Sequence, residues 1–234
     1  MTPESMFFKA IIFDLDGTLI DSAPQVMASV NKVLAGHGHR PLSNDEIIPL
    51  LGRGARYTIK AAFRTMGVEK TPGEIDRCLE DYLGHYLADP TSHTTVYPGV
   101  VEVLEKFLDT GVVMGVCTNK PSPTTRAVLE GLGLMRFFAA VKAADDVTEP
   151  KPAAGHVFDT LAAMGAKAFA AVLVGDSESD IAAARSARIP SVAVSYGYCK
   201  SDPADLGADV LIDRFDQLPG VLADGTIFER STTP

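Results

Sequence analysis

No stretch of this 234-residue chain approaches the roughly 18–20 uncharged apolar residues that a membrane-spanning helix needs. The opening Met1-Thr2-Pro3-Glu4-Ser5-Met6 also lacks the basic-then-apolar layout of a secretory leader, so the expectation is a soluble, untargeted, cytoplasmic protein. Cysteine is scarce: Cys78, Cys117 and Cys199 are odd in number, far apart and without metal-ligand spacing, which suits reduced thiols. Cys117 lies in an apolar run and reads as a small core residue. Positive charge is short as well, and the formal net charge of −9 repels polyanions, so nucleic acid and anionic membrane surfaces are set aside as main partners. Any anionic substrate must then be met by local positive charge. The five histidines are scattered; His156, on a predicted helix, reads as structural, and His37 and His39 as solvated. There is no repeat and no low-complexity tract. What is abundant is apolar residues, at 46%, enough to bury a real core in one large domain or one domain carrying an insertion.

The stretch Ala10-Ile11-Ile12-Phe13 has the length and β-branched content of a buried strand, and Gly17 lets the chain turn after it. Residues 22–93 then carry helical periodicity without a convincing buried strand. Val26, Val30, Val33 and Leu34 recur at helical spacing, Ser43 to Glu46 reads as a capping box, and further helices are predicted over 55–66 and 72–86. From Gly99 onward, strands predicted at 112–117, 139–143, 171–174, 191–194 and 209–212 alternate with helices near 99–109, 123–133, 152–164 and 179–187. That alternation specifies parallel βαβ crossovers. The expected fold is α/β, a doubly wound, mostly parallel, Rossmann-like sheet with an inserted α-helical cap. Residues 1–21 and 94–234 form the catalytic core in this reading, and 22–93 the cap domain. Residues 229–234 read as a frayed polar tail.

The polar residues gather at predicted strand ends, the edge where open α/β sheets bind ligands. Asp14 and Asp16 follow the first strand, Thr118-Asn119-Lys120 the second, and Asp176 to Asp180 the fourth, while Lys151 precedes a helix after the third. Carboxylates this close repel one another unless a cation sits among them, and oxygen ligands with water available suit Mg²⁺. A lysine and a hydroxyl aimed at the same point would neutralise a transferring phosphoryl group. Asp14 is then placed to attack phosphorus and form an aspartyl phosphate, and Asp16 to protonate the leaving oxygen and later activate water. Arg53, between Gly52 and Gly54 on an insert loop, reads as a contact for a substrate carboxylate or as an ordinary surface arginine, and Lys120 as a contact for phosphate or substrate. Asp145 and Asp146 read as surface loop.

Asp14-Leu15-Asp16-Gly17-Thr18, Thr118-Asn119, Lys151-Pro152 and Gly175-Asp176-Ser177-Glu178-Ser179-Asp180 together resemble the four ordered motifs of the haloacid dehalogenase-like hydrolase superfamily, with the helical insert where that superfamily carries its cap. The resemblance implies Asp14 as nucleophile, Asp16 as general acid/base, Thr118 and Asn119 as phosphate binders and Lys151 as charge neutraliser. It also implies Asp14, the Asp16 main-chain carbonyl and Asp176 as Mg²⁺ ligands, with Asp180 orienting Lys151 or a metal-bound water. Phe13 to Ser22, Leu51 to Gly54, Tyr97 to Val100, Cys117 to Pro121 and Val194 to Tyr198 are most similar to the phosphoglycolate phosphatases. Ala154 departs from the proline many relatives carry there. The expected activity is Mg²⁺-dependent hydrolysis of a small phosphomonoester, with 2-phosphoglycolate first. A sugar-phosphate phosphatase, a pyrophosphatase and a phosphomutase are the alternatives on the same scaffold, and a non-enzymatic phosphoacceptor the alternative outside it. The sequence leaves the oligomeric state open.

Overall fold

The computed structural model describes residues 8–199 and 201–223, so the opening hexapeptide and the polar tail lie outside the described residues. Six parallel strands form one sheet: β1 (Ala10–Phe13), β4 (Val113–Cys117), β5 (Ala140–Lys142), β6 (Ala171–Gly175), β7 (Ser191–Val194) and β8 (Val210–Ile212), in the order β5-β4-β1-β6-β7-β8. Two very short strands, β2 (Ile20–Asp21) and β3 (Thr95–Val96), pair antiparallel beside it. These two were not predicted, because two residues are too few to carry a hydrophobic period.

β1 lies at the centre, with Phe13 in register with Val116 on one side and Val174 on the other. All four of its residues are buried, as a strand covered on both faces requires. Alternate residues feed opposite layers. Ile11 and Phe13 pack with Phe107, Val116, Val174 and Phe215, whereas Ala10 and Ile12 pack with Cys117, Val157, Leu161 and Leu173. Helices α5 (Val100–Asp109), α6 (Ser122–Gly131), α7 (Ala154–Met164) and α8 (Glu178–Ala187) make the crossovers. The chain winds from β1 through β4 to β5, then returns across the sheet to β6 and continues outward to β8. The strand order therefore reverses around β1, which leaves a crevice at the carboxyl ends of β1, β4 and β6. A last helix, α9 (Leu218–Ala223), had no counterpart in the sequence reading; it buries Leu218 and Leu222.

Between β2 and β3 the chain forms α1 (Ala23–Gly36), α2 (Asn44–Ile47), α3 (Ala55–Thr65) and α4 (Pro72–Leu87). α4 starts with Thr71 as N-cap, whose hydroxyl accepts the Glu74 N–H at 3.4 Å while Glu74 takes the Thr71 N–H at 2.8 Å, and Pro72 occupies the first turn. These helices bury a cluster of their own, including Val30, Leu34, Ile59, Phe63, Tyr82 and Tyr86, separate from the two layers on the sheet. Among the described residues no helix is long and apolar enough to cross a membrane.

Candidate active site

The turn after β1 is tight because one carbonyl, that of Leu15, accepts the N–H groups of Thr18, Leu19 and Ile20 at 3.3, 3.0 and 3.1 Å. It needs Gly17 at φ 92°, and a side chain there would also collide with the Asp176 carboxylate. Asp14 is carried by this turn, with its N–H on the Val174 carbonyl at 2.9 Å, so β6 fixes the backbone from which the carboxylate projects. Asp176, at the end of β6, accepts the Thr18 hydroxyl at 3.0 Å and the Tyr198 N–H at 2.7 Å. Asp180, in the first turn of α8, accepts the Ser177 N–H at 3.0 Å and the Ser177 hydroxyl at 2.6 Å on one oxygen, with Lys151 Nζ on the other.

Lys151 Nζ stands 2.7 Å from Asp14 Oδ1 and 2.5 Å from Asp180 Oδ1, with 2% of the side chain exposed. Burial opposes its charge, but the two carboxylates outweigh burial and hold the ammonium protonated. Its backbone is pinned by His156. The Lys151 N–H reaches His156 Nδ1 at 3.2 Å, so Nδ1 is the acceptor and the proton sits on Nε2, facing the Lys142 carbonyl at 3.1 Å. Burial, helped by the Lys151 charge, lowers His156 to about 4 and keeps it neutral.

Burial raises Asp14 to about 7 despite the Lys151 charge, and raises Asp176 well above the usual carboxylate range with help from Asp14 and Asp180. One oxygen of each of Asp14, Asp176 and Asp180 lies within 4.8 Å of the others. Three buried carboxylates with two of them pushed toward their neutral forms are a set that a hard divalent cation would relieve, and the all-oxygen donors fit one. Asp16 is outside this cluster. Its side chain is taken by Lys120, at 3.1 Å to both oxygens, and by the Ser22 hydroxyl at 2.5 Å.

The other expected site residues divide. Thr118 is buried beside Asp14 and Asp16 in the same cavity and accepts the Lys120 N–H at 3.2 Å. Asn119 donates its amide to the Lys151 carbonyl at 3.0 Å and to the Gly52 carbonyl at 3.5 Å, so it ties the insert loop to the lysine turn. Arg53 is exposed, lies at the rim and stacks on Tyr57 at 4.3 Å, away from the central cavity. Asp145 is exposed, as expected, but lies in a short 3₁₀ turn (Ala144–Asp146) and not in a loop, and accepts the Ser122 N–H at the start of α6. The central cavity, about 40 Å³, has Asp14 and Thr118 from the sheet edge on one side and Leu51, Gly54 and Thr58 from the insertion on the other. It has room for roughly three water molecules.

A family model described as haloacid dehalogenase-like hydrolase matches residues 11–194, which run from within β1 to the end of β7 and include Asp14, Asp16, Thr118, Lys151, Asp176 and Asp180. The chain belongs to the haloacid dehalogenase-like hydrolases. Within them it is 39% identical over 211 residues to a phosphoglycolate phosphatase of Agrobacterium fabrum, covering 90% of this chain and 91% of the relative. A phosphoglycolate phosphatase of Rhodospirillum rubrum is 38% identical over 214 residues, covering 90% and 89%. The crystal structure of a predicted phosphoglycolate phosphatase from Haemophilus somnus superposes with a TM-score of 0.85 at 27% identity, covering 92% of this chain and 98% of that one. This haloacid dehalogenase-like hydrolase is accordingly a phosphoric monoester hydrolase.

Four residues at the site were missed by the sequence reading: Ser22 on Asp16, Tyr86 over Lys120, Tyr82 in the cavity wall, and Tyr198. The Tyr198 hydroxyl accepts the Ser22 and Ala23 N–H groups at 2.7 and 2.9 Å and donates to Asp21 at 2.7 Å, while its N–H holds Asp176. It joins the start of α1 to the acidic cluster. The only sequence signal for the other tyrosines is their spacing of four on a helix, which marks a shared face but not what that face covers.

Proposed function

We propose that this hydrolase cleaves 2-phosphoglycolate to glycolate and phosphate, with Mg²⁺, through an aspartyl phosphate on Asp14, and that it works in the cytoplasm. The observation that carries the reading is the buried Asp14, Asp176, Asp180 and Lys151 constellation, with Asp14 also lining a cavity that Asp16, Thr118 and Lys120 share. The curated relatives at 38–39% identity bear the same activity in their names.

In this reading Asp14 attacks phosphorus with the carboxylate oxygen that Lys151 leaves free, while the Lys151 ammonium neutralises the phosphoryl oxygens and Thr118 donates its hydroxyl to them. Asp16 gives its proton to the leaving oxygen and takes one back from the water that cleaves the acyl phosphate. Asp14 and Asp176 would hold Mg²⁺, which supplies charge neutralisation at the phosphoryl group. Asp180 is the orienting partner, because Lys151 and Ser177 already occupy both of its oxygens. The side chain of Asp16 is spent on Lys120 and Ser22, which leaves its main-chain carbonyl as the part that can serve the metal. Residues 22–93 act as the cap domain over the core formed by 1–21 and 94–234, and Arg53 meets the substrate carboxylate from the rim.

The test is a panel of phosphate esters with purified protein and Mg²⁺. The reading predicts 2-phosphoglycolate ahead of sugar phosphates and pyrophosphate, free phosphate as product, and no turnover by Asp14→Asn. An isomerised sugar phosphate as product would make the enzyme a mutase, and a long-lived phosphorylated protein would make it a phosphoacceptor.

A further inference from the structure

Lys120 reads from the sequence as a contact for phosphate or substrate, yet in the structure its ammonium is engaged by Asp16 and Tyr86 at the edge of the central cavity. It is buried, at 2% side-chain exposure, with Nζ 3.1 Å from Asp16 Oδ1 and 3.1 Å from Asp16 Oδ2. The same Nζ lies 4.4 Å from the centre of the Tyr86 ring, so an aromatic surface from α4 also covers the ammonium. Its backbone is held on both sides. The Lys120 N–H bonds Thr118 Oγ1 at 3.2 Å, and its carbonyl accepts the Ala144 N–H at 3.2 Å and the Thr125 hydroxyl at 3.4 Å. The Ser22 hydroxyl clamps Asp16 Oδ1 from the other side.

We propose that Lys120 is the positioning residue for Asp16: it fixes the plane of the carboxyl group and stabilises the negative charge left there as the proton passes to the leaving oxygen, under a roof supplied by Tyr86. The inference rests on the acid/base role proposed above for Asp16. In the step concerned, the Asp14 oxygen bonds to phosphorus, the phosphorus–ester oxygen bond breaks, and that oxygen takes the Asp16 proton as Asp16 becomes a carboxylate. A preorganised cation at that carboxylate acts where charge develops. Its value depends on the leaving group. An alkoxide is too basic to depart unprotonated, whereas a nitrophenolate leaves without an acid. A lysine gripping the phosphoryl group would instead serve both esters alike.

The experiment compares kcat/KM for 2-phosphoglycolate and for p-nitrophenyl phosphate. For Lys120→Met we expect a loss of about 100-fold on the alkyl ester, the scale set by misplacing a catalytic group by about an ångström. On the aryl ester we expect a loss of at most about tenfold, so the ratio of the two falls by about tenfold or more. In an Asp16→Asn background, Lys120→Met should cost the alkyl ester nothing further, since a residue acting through Asp16 has nothing left to act on. Should Lys120→Met fail to fold, Tyr86→Leu reads the same ratio, with an expected fall of about fivefold from losing the roof on the ion pair. Equal losses on both esters, or losses that add to Asp16→Asn, overturn the proposal and return Lys120 to the phosphoryl group. Wild-type protein inactive on both esters would instead overturn the phosphatase reading of the site.

Discussion

Two lysines are buried at this site, and different parts of the molecule hold them. Lys151 is placed by the sheet and its crossovers alone: Asp14 follows β1, Asp180 opens α8, and His156 on α7 pins the lysine's backbone. Lys120 follows β4, but its surroundings are completed by the insertion, through Tyr86 on α4 and Ser22 just ahead of α1. The charged partners in the first arrangement all come from the sheet and its crossovers. The second exists only with the helices closed over it. In the reading proposed above, the end of the site that would bond phosphorus is thus organised by the core, and the end that would handle protons by the core and the insertion together.

Breaking the core end should have the larger effect. Lys151→Met leaves Asp14 and Asp180 buried without their cation, which costs about 3–5 kcal/mol of stability by urea unfolding and should bring phosphatase turnover close to zero. The expected contrast is Tyr86→Leu, which leaves the core end intact and keeps turnover measurable. Similar losses in the two variants would erase the distinction between the ends.

A sharper probe of the core end is pH. The folded-state value of Asp14 is raised to about 7 from an ordinary value near 3.8, so the folded protein keeps a proton that the unfolded chain has released. Without a cation its contribution to stability is therefore full below the ordinary value and is lost as pH rises toward about 7. His156 runs oppositely: its value is lowered to about 4, so its contribution is present above pH 6.5 and lost as pH falls through 4. Millimolar Mg²⁺ should raise Tm by several degrees at pH 7.5, with about 2–4 °C for each kcal/mol, and by much less at pH 5. Asp14→Asn should remove most of that pH-dependent gain. A Mg²⁺ effect of equal size at both pH values, or one that survives Asp14→Asn, would place the cation elsewhere.

The smallest effect is expected at the rim. Arg53 is exposed and stacked on Tyr57, where charge pairs contribute roughly 0–1 kcal/mol. Arg53→Ala should raise KM for 2-phosphoglycolate about threefold to fivefold, leave kcat alone, and leave p-nitrophenyl phosphate unaffected. A change in kcat would bring Arg53 into the chemistry itself.

The core end is legible in the sequence for a physical reason. Each of Asp14, Thr118 and Asp176 directly follows a short apolar run, and parallel strands with right-handed crossovers bring such ends to one edge whatever the loops do. Asp180 needs only the turn from β6 into α8. His156 is legible as a helix residue and its burial fits the structural role expected of it, but its grip on the Lys151 N–H depends on how the loop ahead of α7 folds back. The insertion's helices are legible from their periodicity and from the capping box at Ser43 to Glu46, whereas Thr71 shows itself as a cap only in the structure. β2 and β3 are not, since each two-residue strand is specified only by its partner about 75 residues away in the chain.

By itself, the sequence determined the α/β class, the strands that meet at the site, the acidic cluster with its lysine, and the helical character of residues 22–93. These follow from local periodicity and from rules of sheet topology that hold for any chain with this alternation. Only the tertiary structure decided that Lys120 faces Asp16, that Tyr86 closes over it, that Tyr198 binds the start of α1 to Asp176, and that Arg53 stays outside the cavity. The first three are contacts between residues far apart in the chain, and all four depend on how the insertion sits on the sheet, which no local pattern encodes. A lysine next to a strand end is drawn to whichever carboxylate the packing leaves within reach.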